Sequence, residues 1–116
     1  MVTIRQNRDD AVFRAIADPT RREILKLLRH GRLTVGEIAT NFQTSRPAIS
    51  KHLRLLRTAG LVVSHKDGPA SICGLNPKPL KGVDDWLEDY RMLWSKSLRN
   101  LKRYVEEPAK QRKEKP

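Results

Sequence analysis

The chain has 116 residues, 24 Lys and Arg against 13 Asp and Glu, a formal charge of +11 and a pI near 10.4. That is one domain's worth of chain with a modest core, and so basic a balance points to a polyanionic partner rather than an acidic or neutral one. No apolar run approaches the ~18 residues of a membrane span, and the polar start MVTIRQNRDD is no signal peptide, so the expected location is cytoplasmic with no membrane partner. Cys73 is the only cysteine, which excludes an intrachain disulfide and a CxxC metal site.

Residues 1–8 read as a polar leader. A helix is expected from Asp9 or Asp10, with Val12, Phe13, Ile16 and Ala17 as its apolar stripe, ending at Asp18-Pro19. Asp18 can cap a second helix with Pro19 at its first position, Thr20 with Glu23 offers a second, slightly shifted capping box, and Ile24, Leu25, Leu27 and Leu28 form the helix's broad apolar face up to Gly31.

Thr34 and Glu37 make a capping box for a third helix, on which Val35, Ile38, Ala39 and Phe42 share one side. A polar turn follows, and Thr44 or Ser45 caps a fourth helix over about 45–58, with Pro47 in its first turn and Gly60 as its stop. Ile49, Leu53 and Leu56 must face inward. Arg46, Pro47, Ser50, Lys51 and Arg54 then project outward. Two short helices joined by a tight polar turn are a helix-turn-helix, whose second helix enters the DNA major groove. No carboxylate occurs between Glu37 and Asp67, while Arg46, Lys51, Arg54, Arg57 and Lys66 do. A phosphate backbone approaching this stretch meets only neutral or positive groups.

After Gly60 the period changes to two. Leu61–Val63 open one strand, Lys66 to Pro69 form a turn, and Ala70 to Leu75 return, giving a hairpin wing over about 61–75. His65, Lys66 and Gly68 at its tip are candidates for flanking phosphate contact. Asn76 to Pro79 read as a hinge without regular structure.

A last helix is expected over about 80–107. Acidic residues crowd its start and Arg99, Lys102 and Arg103 its end, as the helix dipole favours. Its stripe of Val83, Leu87, Tyr90, Trp94, Leu98, Leu101 and Val105, with Trp86 beside it, is wider than a small trihelical core can cover. A second copy of the chain is the expected partner. Residues 108–116 are a charged, Pro-bounded tail expected to be disordered.

The fold class is therefore mainly α with a small β-hairpin wing, a winged helix-turn-helix spanning residues 9–107. Arg46 is the first choice for base readout, since a guanidinium at the start of a groove-bound helix bonds a guanine edge in bidentate fashion. Lys51 and Arg54 are phosphate clamps, Ser50 bonds a base or a phosphate, Ser45 caps the helix while its neighbouring amides face a phosphate, and Thr44 beside it is a further DNA-binding candidate. His52 lies beside the core stripe, and a packed histidine and a DNA contact both fit it. Cys73 is either a small core filler or a thiol sensor. No Gly-rich phosphate loop, nucleophile pair or HExxH is present, so no catalytic residue, metal site or cofactor is assigned.

The segments FRAIADPTRREILKLL, LTVGEIA and TSRPAISKHLRLLRTAGLV, followed by a hairpin and NPKPL, resemble the ArsR-type family of bacterial winged helix-turn-helix repressors over about residues 11–105. The closing helix, with Trp86, Tyr90 and Trp94, is similar to the autorepressor-like branch. The resemblance implies a homodimer paired through its first and last helices, here Val12 and Phe13 with Trp86, Leu87, Tyr90, Trp94, Leu98 and Leu101. It implies a palindromic double-stranded operator and lowered transcription, often of the protein's own operon. The metal-sensing role is not carried over, because the third helix has no cysteine and the last helix no histidine. Two other uses of the fold stay open: an effector-responsive sensor, through a thiol or a metal, and an RNA- or protein-binding module.

Overall fold

The computed structural model describes residues 4–106, in the order α1 (Ile4–Ile16), α2 (Pro19–Leu28), β1 (Leu33–Thr34), α3 (Val35–Ala39), α4 (Arg46–Thr58), β2 (Val62–Asp67), β3 (Ala70–Leu75), a 3-10 turn (Lys78–Leu80) and α5 (Lys81–Glu106). The expected tail at 108–116 and the first three leader residues lie outside the described residues. Two compact units divide the chain between Val83 and Asp84.

The first unit contains the core. Val12 and Ala15 of α1, Ile24 and Leu28 of α2, Ile38 of α3, and Ile49, Leu53 and Leu56 of α4 close it with Leu61, Val62 and Cys73. Fully burying each of the larger aliphatic side chains contributes about 1.5–3 kcal/mol. Ile24 and Leu28 sit four apart on α2, and Ile49, Leu53 and Leu56 follow the spacing of four and three on α4. Each helix thus turns one stripe inward. Val12 departs from expectation here. It is 1% exposed and packed in the protomer's own core, because α1 turns its Val12–Ala15 side inward. A side chain with no exposed surface has none to offer a second chain, so Val12 leaves the pairing set.

Local signals set the helix starts. Asp18 accepts the Arg21 amide at 3.0 Å with Pro19 next in line, and Ser45 accepts the Ala48 amide at 3.2 Å with Pro47 in the first turn. At α3 the capping box is complete: Thr34 Oγ1 accepts from the Glu37 amide at 3.1 Å, and Glu37 Oε1 accepts from the Thr34 amide at 2.9 Å. Helix α4 ends at Gly60 with φ +78°, a left-handed value at which a Cβ is penalised.

Three boundaries differ from the sequence reading. Helix α1 opens at Ile4 rather than Asp9, since nothing in Ile4–Arg8 breaks a helix. Asp9 is therefore mid-helix, and its carboxylate lies against Gly82 in the first turn of α5. Lys78 and Pro79, placed in a hinge, form with Leu80 a 3-10 turn in which the Leu80 amide donates to Pro77 O at 2.9 Å. A proline in the first turn has no amide to lose, so the X-Pro steps are tolerated.

The expected hairpin of β2 and β3 forms the wing, and β1 joins it to make a three-stranded antiparallel sheet of order β1-β3-β2. Strand β2 runs on to Asp67, so only Gly68 and Pro69 form the turn, with Gly68 at φ +61°. The short β1 pairs Leu33 with Cys73 and Thr34 with Ile72. It ties the loop before α3 to the base of the wing.

The second unit begins at Asp84 within α5. Arg91 bridges Glu88 at 2.5 Å and also pairs with Asp84 on one side of that helix. Trp86 and Tyr90, one turn apart, have ring centroids 5.0 Å apart. Among the described residues no helix is long and apolar enough to cross a membrane.

Candidate nucleic-acid interface

The inward stripe of α4 determines what the helix presents on its other sides. With Ile49, Leu53 and Leu56 fully buried, the 3.6-residue period leaves Arg46, Pro47, Lys51 and Arg54 exposed and Ser50 half-buried on the flank. These are the residues singled out for DNA on sequence grounds, and they share one continuous outward surface. Thr44 and Ser45 are exposed at its N-terminal end, where the Ser45 hydroxyl is engaged as the cap.

Arg46 does not extend freely from this surface. A Cβ built on Gly36 would lie 3.8 Å from Arg46 Nη2 and 3.9 Å from Thr34 Oγ1. The guanidinium therefore borders Gly36 in the first turn of α3. Glu37, the nearest acidic residue in sequence, is already engaged: the backbone hydrogen bond from Thr34, then the one involving its side chain, lowers its pKa.

His52 turns the other way. Its Nδ1 stands 3.2 Å from Arg21 Nη1 and 3.9 Å from Asp18 Oδ2. A guanidinium only donates, so Nδ1 accepts and the ring proton of the neutral form sits on Nε2. Arg21 also donates through Nε to Ala15 O at 2.7 Å and through Nη2 to Arg14 O at 3.0 Å. The one guanidinium thus satisfies the carbonyl end of α1 and braces α4 against α2. Of the two readings that sequence left open for His52, these contacts favour the packed one.

At the far end of α4, Arg57 Nη1 donates to Ser64 Oγ at 3.5 Å, and Ser64 Oγ donates in turn to Cys73 Sγ at 3.4 Å. This small chain joins α4 to the wing. Cys73 itself is fully buried between its β1 and β2 neighbours, Leu33 and Ser64. His65, Lys66 and Gly68 are all exposed along and beyond β2. Sequence reasoning counted Arg57 only in the basic run and assigned Arg21 no role, because the partners that define them lie 7 and 31 residues away. Among the described residues no group of three or more His, Cys, Asp or Glu side chains is placed to hold a metal ion.

Residues 18–64 match the model of a family described as bacterial regulatory protein, arsR family. The chain is 42% identical over 79 residues to the transcriptional repressor SdpR of Bacillus subtilis, covering 68% of this chain and 88% of that one. It is 39% identical over 89 residues to the HTH-type transcriptional regulator Rv2034 of Mycobacterium tuberculosis, covering 77% and 80%. Among solved structures, the ArsR family transcriptional regulator RHA00566 superposes with a TM-score of 0.71 at 34% identity, over 82% of this chain and 97% of that one.

Proposed function

The chain belongs to the ArsR family of bacterial regulatory proteins, and on that premise we propose that it is a DNA-binding transcriptional repressor that acts as a homodimer on a two-fold symmetric operator. The observation that carries this reading is α4: its inner stripe is wholly buried, and its outward side holds Arg46, Lys51 and Arg54 in a stretch with no carboxylate from residue 38 to 66. In this reading Arg46 reads a base edge after lifting off the first turn of α3, Lys51 and Arg54 clamp phosphates, and Ser50 bonds a base or a phosphate. His65, Lys66 and Gly68 lie along the flanking backbone. His52 positions α4 through Arg21 rather than touching DNA.

The dimer is supported by α5, where Trp86, Trp94, Leu98 and Leu101 are each more than half exposed. Leu87, Trp94 and Leu101 recur at intervals of seven, with Tyr90 and Leu98 between them, the spacing of a helix seam. Phe13 of α1 and the half-buried Leu87 complete the proposed pairing set. Effector control through Cys73 gains no support, since a fully buried thiol is out of reach of oxidants and metals in the native fold.

Footprinting on the DNA upstream of the protein's own gene, with selection from a random duplex pool, tests the reading. The wild type should protect a two-fold symmetric site and select a palindrome. Arg46→Ala should relax the preference by about 1–3 kcal/mol at one base pair of each half-site. Arg54→Ala should weaken all duplexes alike. A pool that returned no palindrome would shift the reading toward an RNA- or protein-binding use of the same face.

A further inference from the structure

Gly74 occupies the middle of β3, in the pair Val63↔Gly74. Its backbone is not in the left-handed region, so no turn geometry calls for glycine there, and glycine in a strand interior weakens the strand unless something must come close. Something does. A Cβ built on Gly74 would lie 3.4 Å from Arg32 Cγ, 3.6 Å from its Nε and 3.8 Å from its Cδ. The Arg32 side chain is laid flat across the bare backbone of β3.

The register explains why. Leu33 pairs with Cys73 and Thr34 with Ile72, so one step back sets Arg32 opposite Gly74, and alternation puts Arg32 on the same face as Thr34. Thr34 Oγ1 and the Arg46 guanidinium both border Gly36, each within 4 Å of where a Cβ on that residue would stand. Gly36 thus links Arg46, at the N-terminus of α4, to Thr34, and β1 links Thr34 to Arg32 at the edge of the sheet. Arg32 is exposed, and no carboxylate is within ion-pair distance of it among the described residues. Its stem is already ordered by Gly74, so fixing it on a ligand forfeits little rotamer freedom.

We infer that Arg32, seated across Gly74, is a phosphate clamp that extends the DNA contact from the start of α4 onto the edge of the wing sheet. The inference rests on the operator-binding reading above. It gives Gly74 a purpose: the missing side chain is the seat of the arginine stem.

The test is binding of the full chain to two duplexes, one selected from a random pool by the wild type and one scrambled from it, across 50–200 mM salt. Arg32→Ala should make the log-log salt slope shallower by about 1 for each protomer bound and lower affinity on both duplexes by the same factor. Gly74→Val keeps the charge, adds a strand-favouring residue and fills the seat. It should reproduce the loss of slope with β content unchanged by circular dichroism. An unchanged slope and affinity in Arg32→Ala, while Arg54→Ala still flattens the slope, would overturn the clamp and leave the operator reading standing. A loss on the selected duplex alone would overturn it too, by making Arg32 a base reader. Wild-type binding that failed to distinguish the two duplexes would bring down the operator reading and the clamp built on it.

Discussion

Asp18 shows how much one side chain can organise. Its carboxylate caps α2 through the Arg21 amide and stands 3.9 Å from the His52 ring, while the Arg21 side chain braces the end of α1 and the recognition helix. The Arg21 backbone hydrogen bond, together with the nearby Arg21 guanidinium, outweighs burial and lowers the Asp18 pKa. A carboxyl whose folded pKa lies below its unfolded value stabilises the fold above the unfolded value and ceases to as pH falls through the folded one. Asp18→Ala should therefore cost about 1 kcal/mol at pH 7 in urea unfolding, and the gap to wild type should narrow as pH falls below about 4. A gap of constant size down to pH 2.5 would mean that the ionised carboxylate is not what stabilises the α2 start. The cap itself was readable from Asp18-Pro19, because its partner is three residues away. The link from Arg21 to His52 spans 31 residues and has no local signature.

Among elements, α4 and α5 contrast usefully. Both carry a helical apolar stripe, but that of α4 is spent in the core of its own unit, whereas on α5 no residue is fully buried. Sequence periodicity finds both stripes and does not say which surface covers either. A 26-residue helix with its larger apolar side chains in water gains little from propensity alone, and the proposed second copy supplies the missing contacts. Leu98→Glu with Leu101→Glu should convert the proposed dimer to a monomer in sedimentation equilibrium. Operator affinity should then fall at least a hundredfold, as the second half-site's contribution is lost. A double variant that stayed dimeric would place the pairing surface elsewhere. The small elements were less legible. Strand β1 is two residues long and its Thr34 doubles as the α3 cap, so its capping signal outweighs any strand pattern. The start of α1 was misplaced because Asp9 and Asp10 imitate the acidic first turn that the dipole favours. In the folded chain Asp9 instead meets Gly82, 73 residues away.

For the whole molecule, the +11 charge converts into a measurable property. If each protomer neutralises about four phosphates, a dimer's affinity for DNA should fall with salt along a log-log slope near −7. A slope shallower than about −2 would contradict a phosphate-dominated footprint and return the excess charge to the role of a solvated surface. The same measurement ranks the contacts. Arg54, Lys51 and Arg32 should each flatten the slope when removed, whereas Arg46→Ala should chiefly change which sequence is preferred.

The sequence by itself determined the features whose physics is local: the capping box at Thr34, the start signals of α2 and α4, the stripes of α2 and α4, the carboxylate-free run around the recognition helix, and through them the winged helix-turn-helix class. Each depends on residues within about one or two helical turns, where spacing alone dictates geometry. Only the tertiary structure decided what depended on distant partners. It turned Val12 into core and His52 toward Arg21, brought β1 against β3, and laid Arg32 across Gly74. Those contacts arise when the core closes and brings separate segments together, and no periodicity in the chain encodes which surfaces will then meet.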